Sequence, residues 1–341
     1  MCFSKKSRRA KFPRFPAPLN WCVTCLLFSC LASVSAADSS GRNFGFYGSV
    51  RVHVDAARVD EAEPGQDSDY VGARDAYSRV GIRGNTSVAN LNIAGTLEFG
   101  INTADFDLGD PSFFDDQNFR VASVNLSGDF GTITLGKDWL PFYNAVAAPV
   151  DLFSSVYAGF STYAFFRENQ LSFASNIGNL DYAVAAISRT GSNDRGWQAT
   201  LTYPIANWTL AIGAEIMEAD ISDTSGASAT WSNDDFYTAA KFEYNTSDGF
   251  IYNWFGQYSL ERTAFKLGVG LGDQFSGTSW HIGVDYQLIE SLSFFAEIYA
   301  EERNYAILEE GAERADQYLG AGGFGARQNG RAIALGARFD F

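Results

Sequence analysis

From Phe44 to Phe341, apolar and polar residues alternate with a period of two in one segment after another. In the first, Phe44, Phe46, Gly48, Val50, Val52 and Val54 share one face, and Tyr47, Ser49, Arg51, His53 and Asp55 share the other. Leu91, Ile93, Leu97, Phe99 and Ile101 oppose Asn92, Thr96, Glu98 and Asn102, and Trp280, Ile282, Val284 and Tyr286 oppose Ser279, His281, Asp285 and Gln287. The segment that ends the chain sets Ile333, Leu335, Ala337, Phe339 and Phe341 against Ala334, Gly336, Arg338 and Asp340. This period belongs to β-strands with one apolar and one water-facing side, and segments of about nine to twelve residues match a tilted strand crossing a bilayer.

The pattern predicts strands at 44–55, 77–85, 91–102, 118–127, 131–138, 167–176, 180–188, 196–203, 207–218, 235–244, 250–260, 264–272, 279–287, 291–301 and 331–341. That is fifteen, and a single-chain bacterial barrel needs an even number. Either 264–272 is not a full strand, which leaves fourteen, or one strand is hidden, for instance in the glycine-rich Tyr318 to Ala326, which makes sixteen. Outside the first 37 residues the prolines are Pro64, Pro111, Pro141, Pro149 and Pro204, each placed between alternating runs, as expected of a residue that cannot donate to a ladder. Connections alternate in length. Thr86 to Asn90, Gly128-Asp129, Ile177 to Asn179, Pro204 to Ala206 and Asn245 to Gly249 read as tight turns. Ala56 to Ala76, Thr103 to Gln117, Asp220 to Asp234 and Glu302 to Gly330 read as long polar loops. Short turns on one rim and long loops on the other mark an outer-membrane barrel. Aromatics at the ends of apolar runs (Phe44, Tyr77, Trp139, Trp197, Tyr203, Trp208, Tyr244, Trp254, Trp280, Tyr299) suit interfacial girdles, although a soluble sandwich would place them in its core.

Composition narrows this further. Residues 1–37 carry Lys5, Lys6, Arg8, Arg9, Lys11 and Arg14 without an acid, then an apolar stretch from Trp21 to Val34, then Ser35-Ala36-Ala37. That is the layout of a signal peptide cleaved near Ala36 or Ala37, leaving 38–341 as one barrel domain. All four cysteines fall in this leader, so the mature chain has neither a disulfide framework nor a thiolate metal site. Six of the 25 basic residues leave with it and all 40 acidic ones stay, which gives a mature net charge of −21. So acidic a chain is not a general nucleic-acid binder. No later apolar run is long enough for a membrane helix, so a membrane-spanning mature chain has to be a closed barrel.

Several stretches resemble the general porins of Gram-negative outer membranes: Phe46-Tyr47-Gly48-Ser49-Val50-Arg51, Ser78-Arg79-Val80-Gly81-Ile82-Arg83-Gly84 and Leu126-Ser127-Gly128-Asp129-Phe130-Gly131-Thr132-Ile133-Thr134-Leu135-Gly136-Lys137. Phe166-Arg167-Glu168-Asn169-Gln170, Gly283-Val284-Asp285-Tyr286-Gln287-Leu288 and the terminal Phe341 extend the likeness over the mature chain. The resemblance implies an all-β transmembrane antiparallel barrel of sixteen strands with an inward-folded constriction loop, a homotrimer, contact with outer-membrane lipid and lipopolysaccharide, and passage of small hydrophilic solutes. It implies no cofactor and no metal. It assigns Phe341, with Phe339, as the signal read by the barrel-assembly machinery. The connection after the fifth strand, roughly Trp139 to Phe166, would narrow the pore. Its single acid is Asp151, where the family has a Pro-Glu-Phe-Gly-Gly motif with more carboxylates. The facing arginines match at Arg79, Arg120 and Arg167. Arg79 is in phase with the water face of its strand. Arg120 and Arg167 are out of phase, so a bulge must re-aim them if they face the pore.

An enzyme is the contrasting class. Only His53 and His281 offer imidazole, far apart in sequence, and no nucleophile-elbow, metal-helix or phosphate-loop motif occurs. A substrate-specific channel would show an internal aromatic track, for which Tyr47 and Tyr237 are the inward candidates. The net charge favours a mild preference for cations, and the arginines oppose it. The acid-rich loops (Asp60, Glu61, Glu63, Asp67, Asp69; Asp105, Asp107, Asp110, Asp115, Asp116) read as solvated surface, with divalent-cation binding near lipopolysaccharide as the sharper alternative.

Overall fold

The computed structural model describes residues 36–37, 43–59, 69–101, 103, 119–157, 166–189, 194–218, 222–247, 249–272, 277–302 and 330–341. Alternation produces a ring of antiparallel strands. The first is β1 (Asn43–Val59), and β2 comes in two pieces, Asp69–Asp75 and Arg79–Val88. Then follow β3 (Leu91–Gly100), β4 (Phe119–Gly128), β5 (Gly131–Trp139), β6 (Arg167–Ile177), β7 (Leu180–Ser188) and β8 (Arg195–Ile205). The second half is β9 (Trp208–Met217), β10 (Thr224–Ser232), β11 (Phe236–Asn245), β12 (Gly249–Leu260), β13 (Thr263–Gly272), β14 (Gly277–Ile289), β15 (Leu292–Glu301) and β16 (Gly330–Asp340). Each pairs with its neighbour, and β16 closes on β1 through Leu335 opposite Val54 and Phe339 opposite Val50. Closure leaves no edge, which the bilayer requires. A two-residue piece, Ala36–Ala37, pairs beside Phe44 and Asn43 and adds no wall.

The sixteenth strand is neither of the expected ones. Residues 264–272 are a full strand, Thr263–Gly272, and Tyr318 to Ala326 lies outside the described residues. The strand missed in sequence is β10, inside the supposed loop Asp220 to Asp234. Its outward residues Ser225, Ala227 and Ala229 are small, and its inward Gly226 and Ser228 are smaller still than the usual wall residue, so no alternation of bulk marks it. Missing it also put the tight connection after Asn245 on the wrong rim. The short rim actually turns at 89–90, 129–130, 178–179, 206–207, 233–235, 261–262 and 290–291, whereas 246–248 belongs to the loop rim. Pro204 stands inside β8, opposite Thr209, not between strands. At that height β8 pairs only with β9, its pairing with β7 ending at Thr202, and a proline is tolerated at such an edge.

The outer surface is apolar throughout: Ile82, Leu97, Leu135, Leu171, Ile212, Ile282 and Leu335 are all exposed there. In a soluble sandwich these residues would be core; here the buried side is polar, with Glu98, Gln198, Glu215, Glu243 and Glu297 under 10% exposed. Aromatics are not evenly spread. Every exposed Trp and Tyr among the described residues lies on β8 to β14, as Trp197, Tyr203, Trp208, Tyr244, Tyr252, Trp254, Tyr258, Trp280 and Tyr286. Of the expected girdle, Tyr77 and Tyr299 instead face inward: Tyr77 bonds the infolded loop and Tyr299 is buried beneath it.

The terminal residue completes β16. Phe341 exchanges backbone hydrogen bonds with Gly48, at 2.9 and 3.1 Å. Its ring covers the bare Gly48, where any added Cβ would collide with it, and stacks beside Phe339.

Candidate functional site

The loop after β5 turns into the barrel and lies along its inner wall. It starts with Leu140, buried against Ile187 and Met217. A π-helical turn (Tyr143–Ala147) and a 3-10 turn (Ala148–Val150) follow, and the chain then continues extended to Tyr157. Apart from Asp151 the loop has no charge of its own, so the wall supplies the groups that hold it. Gln198 on β8 accepts the Phe142 N–H at 2.8 Å while its amide donates to Glu215 on β9 at 2.5 Å. The Ser228 hydroxyl on β10 donates to the Ala145 carbonyl at 2.7 Å, and the Tyr237 hydroxyl on β11 to the Pro149 carbonyl at 2.8 Å. Lys266 on β13 donates to the Leu152 carbonyl at 2.8 Å and to Asp285 on β14 at 2.5 Å.

Glu297 on β15 makes the tightest grip. Its carboxylate accepts the N–H groups of Ser154 at 2.7 Å and Ser155 at 3.1 Å, and contacts His281 Nε2 at 3.0 Å. His281 in turn stacks on Phe153 with ring centroids 3.4 Å apart. The Tyr157 hydroxyl donates to Asp55 on β1, and its ring stacks on Tyr299. Tyr77 closes the span by donating to the Val156 carbonyl at 3.3 Å. Tyr77 occupies the break between the two pieces of β2 with φ of +68°, a strained conformation for a bulky residue. Asp75 braces that break by accepting the Ser78 N–H at 2.8 Å and the Thr103 hydroxyl at 2.6 Å.

Apolar contacts complete the seat, and glycines make room for it. An added Cβ on Gly226 would stand 2.9 Å from Val146, one on Gly213 2.9 Å from Phe142, and one on Gly268 2.8 Å from Phe153. Val150 packs on Ala239 and Phe255. Among the described residues the loop thus follows the wall from β8 round to β1, touching β7 at Ile187 and the break in β2 at Tyr77.

On β16 and β1 to β4 stands a group of arginines. Glu98 on β3 accepts from Arg120 Nε at 2.9 Å and from the Tyr47 hydroxyl at 3.1 Å, and lies 3.7 Å from Arg79 Nε. Arg83 lies over the Tyr47 ring, 5.4 Å from its centroid, and Arg338 pairs with Asp340 at 2.7 Å. Arg51, whose N–H donates to the Ser78 hydroxyl at 2.8 Å, sits level with the Tyr77 brace of the loop. Five arginines therefore share this strip with two carboxylates, Glu98 and Asp340. The expected bulge is present at Arg120: Phe99 opposes Phe119 while Glu98 opposes Val121, so Arg120 is the extra residue and swings inward.

Arg167 has a different setting. The β5–β6 register runs unbroken, Arg167 opposite Trp139, so it keeps the parity of Leu171 and Phe173. Its guanidinium lies 4.8 Å from the Trp139 ring centroid and 4.5 Å from that of Phe166, clamping the loop's two ends. Asp151 is open to the lumen and accepts from the Tyr143 hydroxyl at 3.0 Å. The low-dielectric barrel that encloses the lumen disfavours its charged form and raises its pKa above the usual value, against the pull of the Tyr143 hydroxyl, Lys241 and His281. Lys241 is thus its cationic neighbour on the loop's own side, with the Glu98 arginines on the other wall. Tyr47 and Tyr237 do point inward, each bound to wall or loop. The acid-rich loops fall almost wholly outside the described residues; within them, Asp69 lies 3.8 Å from Arg58.

A closed barrel, apolar outside, polar inside and crossed by a loop pinned to one wall, is a membrane channel. The chain belongs to the Gram-negative porins, whose family model matches residues 23–305, and its place is the outer membrane. Solved structures agree in fold. An anion-selective porin from Comamonas acidovorans superposes with a TM-score of 0.66 at 16% identity, over 88% of this chain and 100% of that one. OmpT of Vibrio cholerae gives 0.62 at 14% identity, over 89% and 99%. A triple mutant of Rhodopseudomonas blastica porin gives 0.60 at 15%, over 87% and 100%. Among curated sequences, none matches.

Proposed function

We propose that this porin is a passive diffusion channel for small hydrophilic solutes and ions, narrowed between the loop bearing Asp151 and the wall bearing Arg79 and Arg120. The observation that carries this reading is the one-sided seat of the loop among the described residues, with Arg79 and Arg120 gathered around Glu98 on wall to which the loop is not pinned. Opposite charges across a water-poor gap set a transverse field, in which polar solutes align and apolar ones must displace ordered water. Arg167 serves the loop's ends rather than the field. The acids of the covered wall (Glu215, Asp285, Glu297) are engaged in holding the loop. The narrow zone is therefore left with a surplus of arginine, and anions are favoured there despite a net charge of −21. This reverses the preference suggested by total charge.

The same reading excludes catalysis, since His53 and His281 lie under the loop at 2% and 4% exposure, closed to any solute. It includes removal of the leader near Ala36 or Ala37, and a homotrimer. Subunit contact would hide the sector of β16 and β1 to β7, whose outer face lacks the Trp and Tyr that favour a lipid interface. It also includes Phe341 and Phe339 as the segment read during barrel assembly, and lipopolysaccharide around the exposed rim. Reversal potentials in a salt gradient test the channel: anion preference is expected, Arg79→Ser should shift it toward cations, and Asp151→Asn toward anions. No shift for either variant would refute the constriction.

A further inference from the structure

The outer face carries a pair of cations that serve neither the passage nor the loop's seat. Arg331 on β16 stands directly opposite Arg58 on β1, and Arg58 directly opposite Asp69 on β2. All three lie at the loop-rim ends of their strands. Arg331 shares the parity of Ile333 and Leu335, and Arg58 that of Val54, all three apolar residues being more than half exposed. Both guanidiniums are therefore on the side away from the lumen.

Like charges directly opposite on paired strands repel. Asp69 offsets this in part, 3.8 Å from Arg58 Nε, with both side chains more than half exposed. The row thus holds two positive charges and one negative. From it toward the short rim the same face is apolar without a break: Ile333, Leu335, Ala337 and Phe339 on β16 stand beside Ala56, Val54, Val52 and Val50 on β1. Ile298 and Phe294 continue this surface on β15. The pair stands where the apolar band ends, at the height of lipid head groups, and the arginine fork suits the oxygens of a phosphate. A dissolved ion gains little at so exposed a pair. A lipid whose chains lie on the apolar face holds its phosphate there at high local concentration.

We propose that Arg58 and Arg331 clamp a phosphate of the outer-leaflet glycolipid, whose acyl chains run down β15 and β16. The proposal rests on the lipopolysaccharide contact of the channel reading and gives that contact a place. Because β16 is the outermost strand of the sector assigned to subunit contact, the lipid lies along its flank.

The test is binding of lipid A, the phosphorylated, acylated anchor of that glycolipid, to the whole channel in detergent, counted by native mass spectrometry. Arg58→Gln and Arg331→Gln should each raise the half-saturating lipid A concentration about fivefold, and the double variant about 25-fold. Replacing both by lysine keeps the charge and should hold it within about threefold of the parent. Arg262→Gln, in an exposed short-rim turn, should leave it unchanged. Unchanged half-saturation in the double glutamine variant would overturn the clamp and leave the lipopolysaccharide contact standing. No binding by the parent channel would overturn both. Inorganic phosphate bound as tightly as lipid A would mark an anion site, and loss of the oligomer in the lipid-free double variant a subunit contact. Either result would overturn the clamp.

Discussion

The two sides of the barrel solve opposite problems with the same strand pattern. From β8 to β15 the inner wall is a dock: Gln198, Lys266 and Glu297 hold loop backbone, His281 stacks on Phe153, and glycines admit the loop's side chains. Among the described residues the loop is not pinned to the inner wall from β3 to β6, where charges meet water or one another. The outer faces differ in step: every exposed Trp and Tyr among the described side chains lies on β8 to β14. In the first region polar residues hold the loop; in the second they pair with one another, as Arg120 and Glu98 do. A water-facing position in a strand therefore says little about function until the loop's course is known.

Cutting the dock should have the largest effect. Glu297→Ala leaves the Ser154 and Ser155 N–H groups and His281 without their acceptor, a loss of about 3–5 kcal/mol from the loop's hold. Single-channel conductance should rise severalfold while the barrel still assembles. Glu98→Gln on the bare wall should leave conductance within about a factor of two and change mainly ion preference.

Next comes the outer face. Arginine at an outward position near the bilayer midplane costs about 2–4 kcal/mol. Leu135→Arg, on the aromatic-poor side, should break up the oligomer, whereas Ile282→Arg, on the aromatic-rich side, should lower heat stability and leave the oligomer intact. Semi-native gels separate the two outcomes. Equal loss of oligomer would remove the distinction between the sectors.

Packing gives a smaller contrast. Gly226→Ala places its Cβ against Val146 and should cost about 1–3 kcal/mol, read as noisier current from a loosened loop. Gly45→Ala, with nothing within 4 Å of the new carbon, should be silent. The smallest effect concerns pH. Asp151 has a raised pKa, so on acidification it loses its charge before an ordinary carboxylate would. Anion preference should therefore begin to increase at a higher pH than an ordinary carboxylate would set, and Asp151→Asn should abolish that part of the profile.

Strands with bulky outward residues could be read from the chain, because lipid demands apolar bulk at every second position. β10 could not, since the loop's Phe142 and Val146 claim the space over Gly226 and erase the inner bulk as well. The conflict of parity at Arg120 was a true signal of a bulge. The same conflict at Arg167 was not, because Trp139 and Phe166 offered its guanidinium an apolar clamp instead. Glu297, His281, Lys266 and Gln198 looked like ordinary lumen residues, since sequence does not tell water from loop as the covering layer. The legible hint was glycine at inward positions of β9, β10, β13 and β14, where nothing in a water-filled wall calls for it.

The central claim is that solutes pass along the bare wall and not along the docked one. Residues 38–341 contain no cysteine, so a single thiol introduced into the barrel reports its own site. Thr96→Cys lies on the bare wall, and Ala239→Cys lies under the loop at 1% exposure in the parent residue. A charged, thiol-specific methanethiosulfonate reagent added to open channels should cut the current through Thr96→Cys and leave that through Ala239→Cys unchanged. Block at Ala239→Cys without block at Thr96→Cys would contradict the account.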